Sequence, residues 1–283
     1  MSIYARRRTA VLCVLALIAG GAYALLRGGG SSSPSATTRS TVSRKAVAGR
    51  AGGKELVALA VTPAGAKPTH VVGEGPFITV SGRSVHRVQA SPGNMVALTF
   101  DDGPGPETPD VLEELQHEHA HATFFVIGDL AQKDPEMVRT LYAAGMQIGN
   151  HTWTHPQLAR LTAKGQRSEL EKTQNEIASI IGVRPRFYRP PYWSWNDTTA
   201  QQAGALGMVG VLFSVDTDDW QRPGADTIIR NALKAQAGDV IAFHDAGGDR
   251  SETVAAIAPI IVALRARHLE PVTLDQLYGR ART

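Results

Sequence analysis

Val96-Ala-Leu-Thr-Phe-Asp-Asp-Gly-Pro104 decides how this 283-residue chain is read. Residues 96–100 are a short run of apolar and β-branched side chains, the signature of a buried strand. The run stops at two adjacent carboxylates, Asp101 and Asp102, and then at Gly103-Pro104, a pair that forces a turn. Strand residues alternate between faces, but the backbone is turning where a strand ends, so both carboxylates can address one pocket. Two carboxylates that close raise one of their pKa values. A cation held by one of them removes the conflict and leaves the other free as a base.

Downstream the pattern alternates. Strand-like runs fall at 96–100, 122–127, 146–149, 186–188, 208–215, 239–243 and 271–274, and amphipathic helical stretches at 109–118, 135–144, 164–181, 198–206, 225–237 and 253–267. Pro109 and Pro135 open helices, and Gly145, Gly182 and Gly238 follow helix ends. This alternation predicts an α/β fold with a mostly parallel sheet. About seven repeats without a dinucleotide glycine fingerprint favour a barrel, in which chemistry gathers at the C-terminal ends of strands. The polar motifs all fall there. Asp101-Asp102 ends the first strand, and His151-Thr-Trp-Thr-His155 follows the third. Arg189-Pro-Pro-Tyr192, Asp216-Thr-Asp-Asp-Trp220 and His244-Asp245 follow the fourth, fifth and sixth.

His151 and His155 are four apart, a spacing that on a helical turn aims both imidazoles the same way. With one carboxylate they make a two-His, one-Asp set with positions left for water and substrate, as in catalytic zinc sites. The one cysteine, Cys13, lies in the hydrophobic N-terminal run, so a metal site further on must use His, Asp or Glu.

The first fifty residues hold eight of the 29 Lys and Arg and none of the 26 Asp and Glu, leaving 21 basic residues against 26 acidic ones in 51–283. A mildly acidic folded part argues against a nucleic-acid partner. Arg6-Arg7-Arg8 precedes an uncharged run of 18 residues, Thr9 to Leu26, the pattern of an export signal. Residues 1–26 therefore read as a signal peptide, with Ala22-Tyr23-Ala24 as a cleavage site, or as a retained membrane anchor with the rest of the chain outside. Residues 27–53, rich in Gly, Ser and Thr, read as a flexible linker. Residues 54–92 read as a small N-terminal extension of a few strands or a hairpin, and 93–283 as the catalytic domain.

The ordered set Thr99-Phe-Asp-Asp-Gly103, His151-Thr-x-x-His155, Arg189-x-Pro-Tyr192, Asp216-x-x-Asp-Trp220 and a late strand ending in His244 resembles the polysaccharide deacetylase family (carbohydrate esterase family 4, the NodB homology domain). The likeness covers residues 93–277. It implies a distorted (β/α) barrel, with the small N-terminal extension beside it, and a metal-dependent hydrolase that removes N-acetyl groups from an amino-sugar polymer. Peptidoglycan is the first expectation, with chitin oligomers or an exopolysaccharide next. The resemblance makes Asp101 the general base, Asp102, His151 and His155 the ligands of one divalent ion (zinc first, cobalt or nickel as alternatives), and His244 the acid that protonates the leaving amine. Arg189 would fix the base. Asp219 would orient Arg189 or raise the pKa of His244, a choice left open. The backbone N–H of Tyr192 would hold the oxyanion, and Trp220 would wall the groove.

Two departures from the family pattern stand out. Ala242 occupies the position where the family has a leucine lining the acetyl pocket, which leaves either a roomier pocket or one filled by Phe243 or another residue. Trp193 and Trp195 follow Tyr192 where a glycine is usual, and either stack on sugar or narrow the groove. An O-acetyl esterase acting on a polysaccharide and a non-catalytic carbohydrate-binding barrel are the alternative readings. An exported monomer, extracellular or anchored to the outer face of the membrane, is expected.

Overall fold

A computed structural model of the chain describes residues 77–80, 84–87 and 93–278. The expected export segment, the linker and most of the extension lie outside the described residues. The extension contributes β1 (Phe77–Val80) and β2 (Ser84–Arg87), an antiparallel hairpin. The chain continues as β3 (Met95–Asp101), α1 (Thr108–His117), β4 (Thr123–Val126), α2 (Gly128–Lys133), α3 (Pro135–Ala143) and β5 (Gln147–Asn150). Next come α4 (Ala163–Ile181), β6 (Phe187–Tyr188), α5 (Asp197–Ala205), β7 (Val209–Val211), β8 (Val215–Asp216) and α6 (Ala225–Ala232). The described part ends with β9 (Val240–His244), α7 (Ser251–Ala266), β10 (Glu270–Val272) and α8 (Leu274–Tyr278).

The helix boundaries follow local chemistry. The Asp134 side chain accepts from the Met137 amide at 3.0 Å and so caps α3, whose first residue is Pro135. Thr162 caps α4, which Gly182 ends in the left-handed conformation. Asn196 and Thr199 form a capping box at the start of α5.

In the sheet, β7, β6, β5, β4, β3, β9 and β8 are successive parallel neighbours, with the hairpin added antiparallel at β7 and β10 paired to the start of β3. From β7 to β8 there are six inter-strand steps, roughly 29 Å across a flat sheet at about 4.8 Å each. In the chain only residues 212–214 separate the two strands, a reach of about 14 Å. The sheet must therefore curl until its ends meet. This is the barrel that the alternation implied, in the distorted (β/α) form that the family resemblance implied, closed at its seam by the chain itself. The single strand expected over 208–215 is split in two, because the carbonyls of Val211 and Leu212 are taken by the Arg189 side chain rather than by a ladder.

The strands bury both faces. Leu98, Phe100, Phe124, Ile241 and Phe243 face the helices and pack with Val111, Leu115, Ile228, Ile257 and Ile261. Ala97, Phe125, Phe187, Val211, Val240 and Val272 face inward. Leu274 was expected as a strand residue but opens α8, and with Leu277 it joins the inward cluster. The start of α8 is bonded across the leading ends of three strands, at the first residues of β4 and β5 and at the residue before β6. The Leu274 amide donates to Thr123, the Asp275 amide to Gln147, and Arg186 to the Asp275 carboxylate at 2.7 Å. The helix thus floors the barrel at the end opposite the motifs.

Gly149 faces this interior, and a methyl added there would sit 2.5 Å from the Phe125 ring. Gly149→Ala should lower stability by about 1–3 kcal/mol through overpacking, read as a reduced urea midpoint with an unchanged slope.

Candidate active site

β3 carries Asp101 into the upper interior, where it is 5% exposed. Arg189 Nη1 donates to Asp101 Oδ1 and to Thr99 Oγ1, both at 2.8 Å, while Nε donates to the Val211 carbonyl at 3.2 Å. The guanidinium also lies 4.3 Å from the centre of the Phe125 ring. Burial lowers the Arg189 pKa, and the facing Asp101 opposes that shift. Asp102 follows with a left-handed φ of 75°, and this turn brings two sequential carboxylates to one mouth. The turn needs glycine at 103, where a Cβ would overlap the Asp245 carboxylate.

Asp102 Oδ1 lies 3.4 Å from His151 Nε2 and 3.1 Å from His155 Nε2. One ligand atom from each of the three residues falls within 4.8 Å of the others, the one such cluster among the described residues. The spacing of four does not act through a helix here. Residues 151–155 form a turn in which Thr152 (φ 69°) and His155 (φ 58°) are left-handed, so backbone reversal rather than helical periodicity makes the imidazoles converge. His151 Nδ1 donates to the Arg189 carbonyl at 2.8 Å, and since a carbonyl can only accept, Nδ1 carries a proton and Nε2 is the ring nitrogen turned to Asp102. His155 Nδ1 meets the Tyr192 hydroxyl at 3.1 Å.

Burial by itself would raise the Asp102 pKa, but the two imidazoles, with His244 beyond, hold its carboxyl well below the usual carboxylate range. Its Oδ1 is nevertheless buried and accepts no well-aimed hydrogen bond. A buried carboxylate oxygen that faces two imidazole nitrogens and has no donor of its own is what a divalent cation satisfies. These three residues fit such an ion.

Across the mouth, β9 ends in His244, whose Cα pairs in register with Asp101. Its Nδ1 donates to Asp219 Oδ1 at 2.7 Å, and Asp219 Oδ2 accepts the His244 amide at 2.7 Å and the Thr253 hydroxyl at 2.8 Å. Asp219 is thus a partner of His244 and not of Arg189. Burial alone would lower the His244 pKa; bonded Asp219, aided by Asp101 and Asp102, outweighs it and pushes the pKa up to about 9.

Among the described residues, Tyr192 and Trp220 are the most exposed large hydrophobic ones, at 61% and 49%. One stands beside His155 and the other adjoins Asp219, so they flank the metal side and the acid side of the mouth. Trp193 meets Phe213 edge-on at 4.4 Å between ring centres. Phe243 does not line the pocket. It is 1% exposed and stacked on Phe100 at 5.3 Å, on the helix-facing side of β9, because alternation sends it away from the side shared by Ala242 and His244.

The sequence places Asp245 beside His244 at the end of a strand-like run and assigns it no role. It is buried, accepts from the Thr108 hydroxyl at 2.5 Å, and burial pushes its pKa up to about 7. The Thr108 hydroxyl in turn accepts from the Gly105 amide at 2.8 Å, which ties the turn after Asp102 to the segment after His244. Direct adjacency to His244 was the available signal.

The family model described as polysaccharide deacetylase matches residues 89–211. A peptidoglycan-N-acetylglucosamine deacetylase of Bacillus cereus is 38% identical over 186 residues, covering 65% of this chain and 68% of the relative. A chitooligosaccharide deacetylase of Bradyrhizobium is 38% identical over 197 residues, covering 65% of this chain and 90% of the relative. A crystal structure of a peptidoglycan N-acetylglucosamine deacetylase, in complex with 4-naphthalen-1-yl-N-oxidanyl-benzamide, superposes with a TM-score of 0.66 at 34% identity, covering 72% of this chain and 93% of that one.

In the metal-free protein the His244 ring should titrate near pH 9 by NMR, and Asp219→Asn should return it toward the ordinary histidine range of about 6.5. Because the folded-state pKa is the raised one, this pair's stabilisation should be full below about pH 6.5 and lost as pH rises through about 9, a dependence absent in the variant.

Proposed function

The chain belongs to the polysaccharide deacetylase family, and we propose that it removes N-acetyl groups from peptidoglycan outside the cell membrane. The observation that carries this reading is the trio of Asp102, His151 and His155, set between an Arg189-bonded carboxylate and an Asp219-bonded imidazole. Peptidoglycan is supported by the export-type segment at 1–26 and by the polymer named for the Bacillus cereus relative. Zinc is the ion we favour. A set of two imidazoles and one carboxylate, with no sulfur ligand, is a donor set that catalytic zinc sites use.

Asp102, His151 and His155 would hold the ion, which when bound would supply polarisation of the acetyl carbonyl and a lowered pKa for the attacking water. Asp101 accepts a proton from the attacking water through the carboxylate oxygen that Arg189 does not bond, since Arg189 bonds Oδ1. Arg189 keeps the carboxylate in one orientation and offsets its burial. His244 gives its proton to the departing amine, and Asp219 keeps that proton available by favouring the charged ring. The Tyr192 amide stabilises the oxyanion as the carbonyl becomes tetrahedral. Tyr192, Trp193 and Trp220 offer aromatic faces to the sugar chain.

Protein loaded with zinc or cobalt should release acetate from N-acetylglucosamine polymers, and no release from any of them would reject the proposal. His151→Ala should lose both bound metal and turnover. Asp101→Asn should keep its metal while kcat falls about 10²–10⁴-fold. A preference for acetate esters over amides would favour the O-acetyl esterase reading.

A further inference from the structure

The turn between the two histidine ligands is held from outside by a residue that the mechanism does not use. Each of its five amides has a partner. His151 N–H donates to the Val126 carbonyl at 2.9 Å, Thr152 N–H to Asn150 Oδ1 at 2.9 Å, and His155 N–H to Thr152 Oγ1 at 3.1 Å. The remaining two, Trp153 and Thr154, both donate at 2.8 Å to a single oxygen, Glu169 Oε2. The Thr154 hydroxyl adds a third bond, to Glu169 Oε1 at 3.0 Å.

Glu169 lies on the second turn of α4, so its carboxylate spans helix and turn. On the other side, the first amides of α2, at Gly128 and Asp129, donate to the carbonyls of Thr152 and Trp153 at 2.9 and 3.1 Å. The Lys172 ammonium, further along α4, lies 3.6 Å from the centre of the Trp153 ring.

These contacts have work to do. Thr152 and His155 both sit in the left-handed region, where a residue with a Cβ stays only if its surroundings over-determine it. If the turn relaxed, His155 would swing away from Asp102. We propose that Glu169 is a positioning residue for the metal site, acting through the Trp153 and Thr154 amides to keep His155 in ligating geometry before the ion arrives. The inference rests on Asp102, His151 and His155 being the ligands.

The test is zinc affinity of chelator-stripped protein, measured by competition with a chromophoric chelator, for wild type, Glu169→Ala and Glu169→Gln. Loss of a supporting hydrogen bond around a metal ligand commonly weakens binding by about tenfold to a hundredfold, and that loss is expected for Glu169→Ala. Glutamine can accept both amides through its oxygen and donate its NH₂ to the Thr154 hydroxyl, so Glu169→Gln should bind close to wild type. The visible spectrum of the cobalt-loaded alanine variant should also shift from that of wild type, while its metal-free circular dichroism should not. Wild-type affinity in Glu169→Ala overturns the proposal. So does an equal loss in both variants, or a loss accompanied by collapse of the metal-free fold. A wild-type chain that takes up no zinc overturns the ligand assignment itself, and this inference with it.

Discussion

The buried guanidinium of Arg189 is the constraint on which the rest of this structure depends. A charge with 2% exposure is tolerated only where it is paired and its donors are bonded. Asp101 and Thr99 supply that on one side, and the Val211 and Leu212 carbonyls on the other. One side chain therefore fixes the proposed base and bridges the seam where β7 and β8 fail to pair. Its own carbonyl, meanwhile, accepts from His151 and sets which imidazole nitrogen faces Asp102. Base orientation, ligand tautomer and barrel closure are not independent properties here. They are three faces of one residue.

Much of this was legible in the chain because the informative features are local. Asp101-Asp102, the two histidines, Arg189, Asp219 and His244 each follow a readable strand, and a parallel barrel brings all such ends to one rim. The conformation of the turns was not legible. A spacing of four suggested a helical turn at His151 and His155, whereas tertiary contacts hold a reversal there. The partner of Asp219 depended on how two distant loops meet, which no local pattern encodes. Phe243 is a different case. Alternation along β9 already set it opposite His244, so placing it near the acetyl group conflicted with a rule the residues themselves supply. Glu169 carried no signal. A glutamate on an amphipathic helix looks like any solvated charge until the turn packed against it is known.

Nine described non-glycine residues have positive φ, and six of them, Asp102, Thr152, His155, Tyr192, Trp193 and Asp218, lie in the loops around the site. Each costs about 1–3 kcal/mol, so the stable strands and helices behind must carry the expense. The return is a set of side chains already close to their working positions. Ligand geometry then need not be assembled from a flexible loop at the moment of binding.

The helix that floors the barrel has a bearing on the reaction as a whole. Leu274 and Leu277, both fully buried, join Phe125, Phe187 and Val240 in a dry layer beneath Arg189. Among the described residues this layer closes one end of the barrel, and the rim that carries Asp101, Asp102 and the two histidines is the other. In the proposed reaction, acetate and the trimmed glycan leave by the rim at which the polymer enters, which makes traffic there, where Tyr192 and Trp220 stand, part of every turnover.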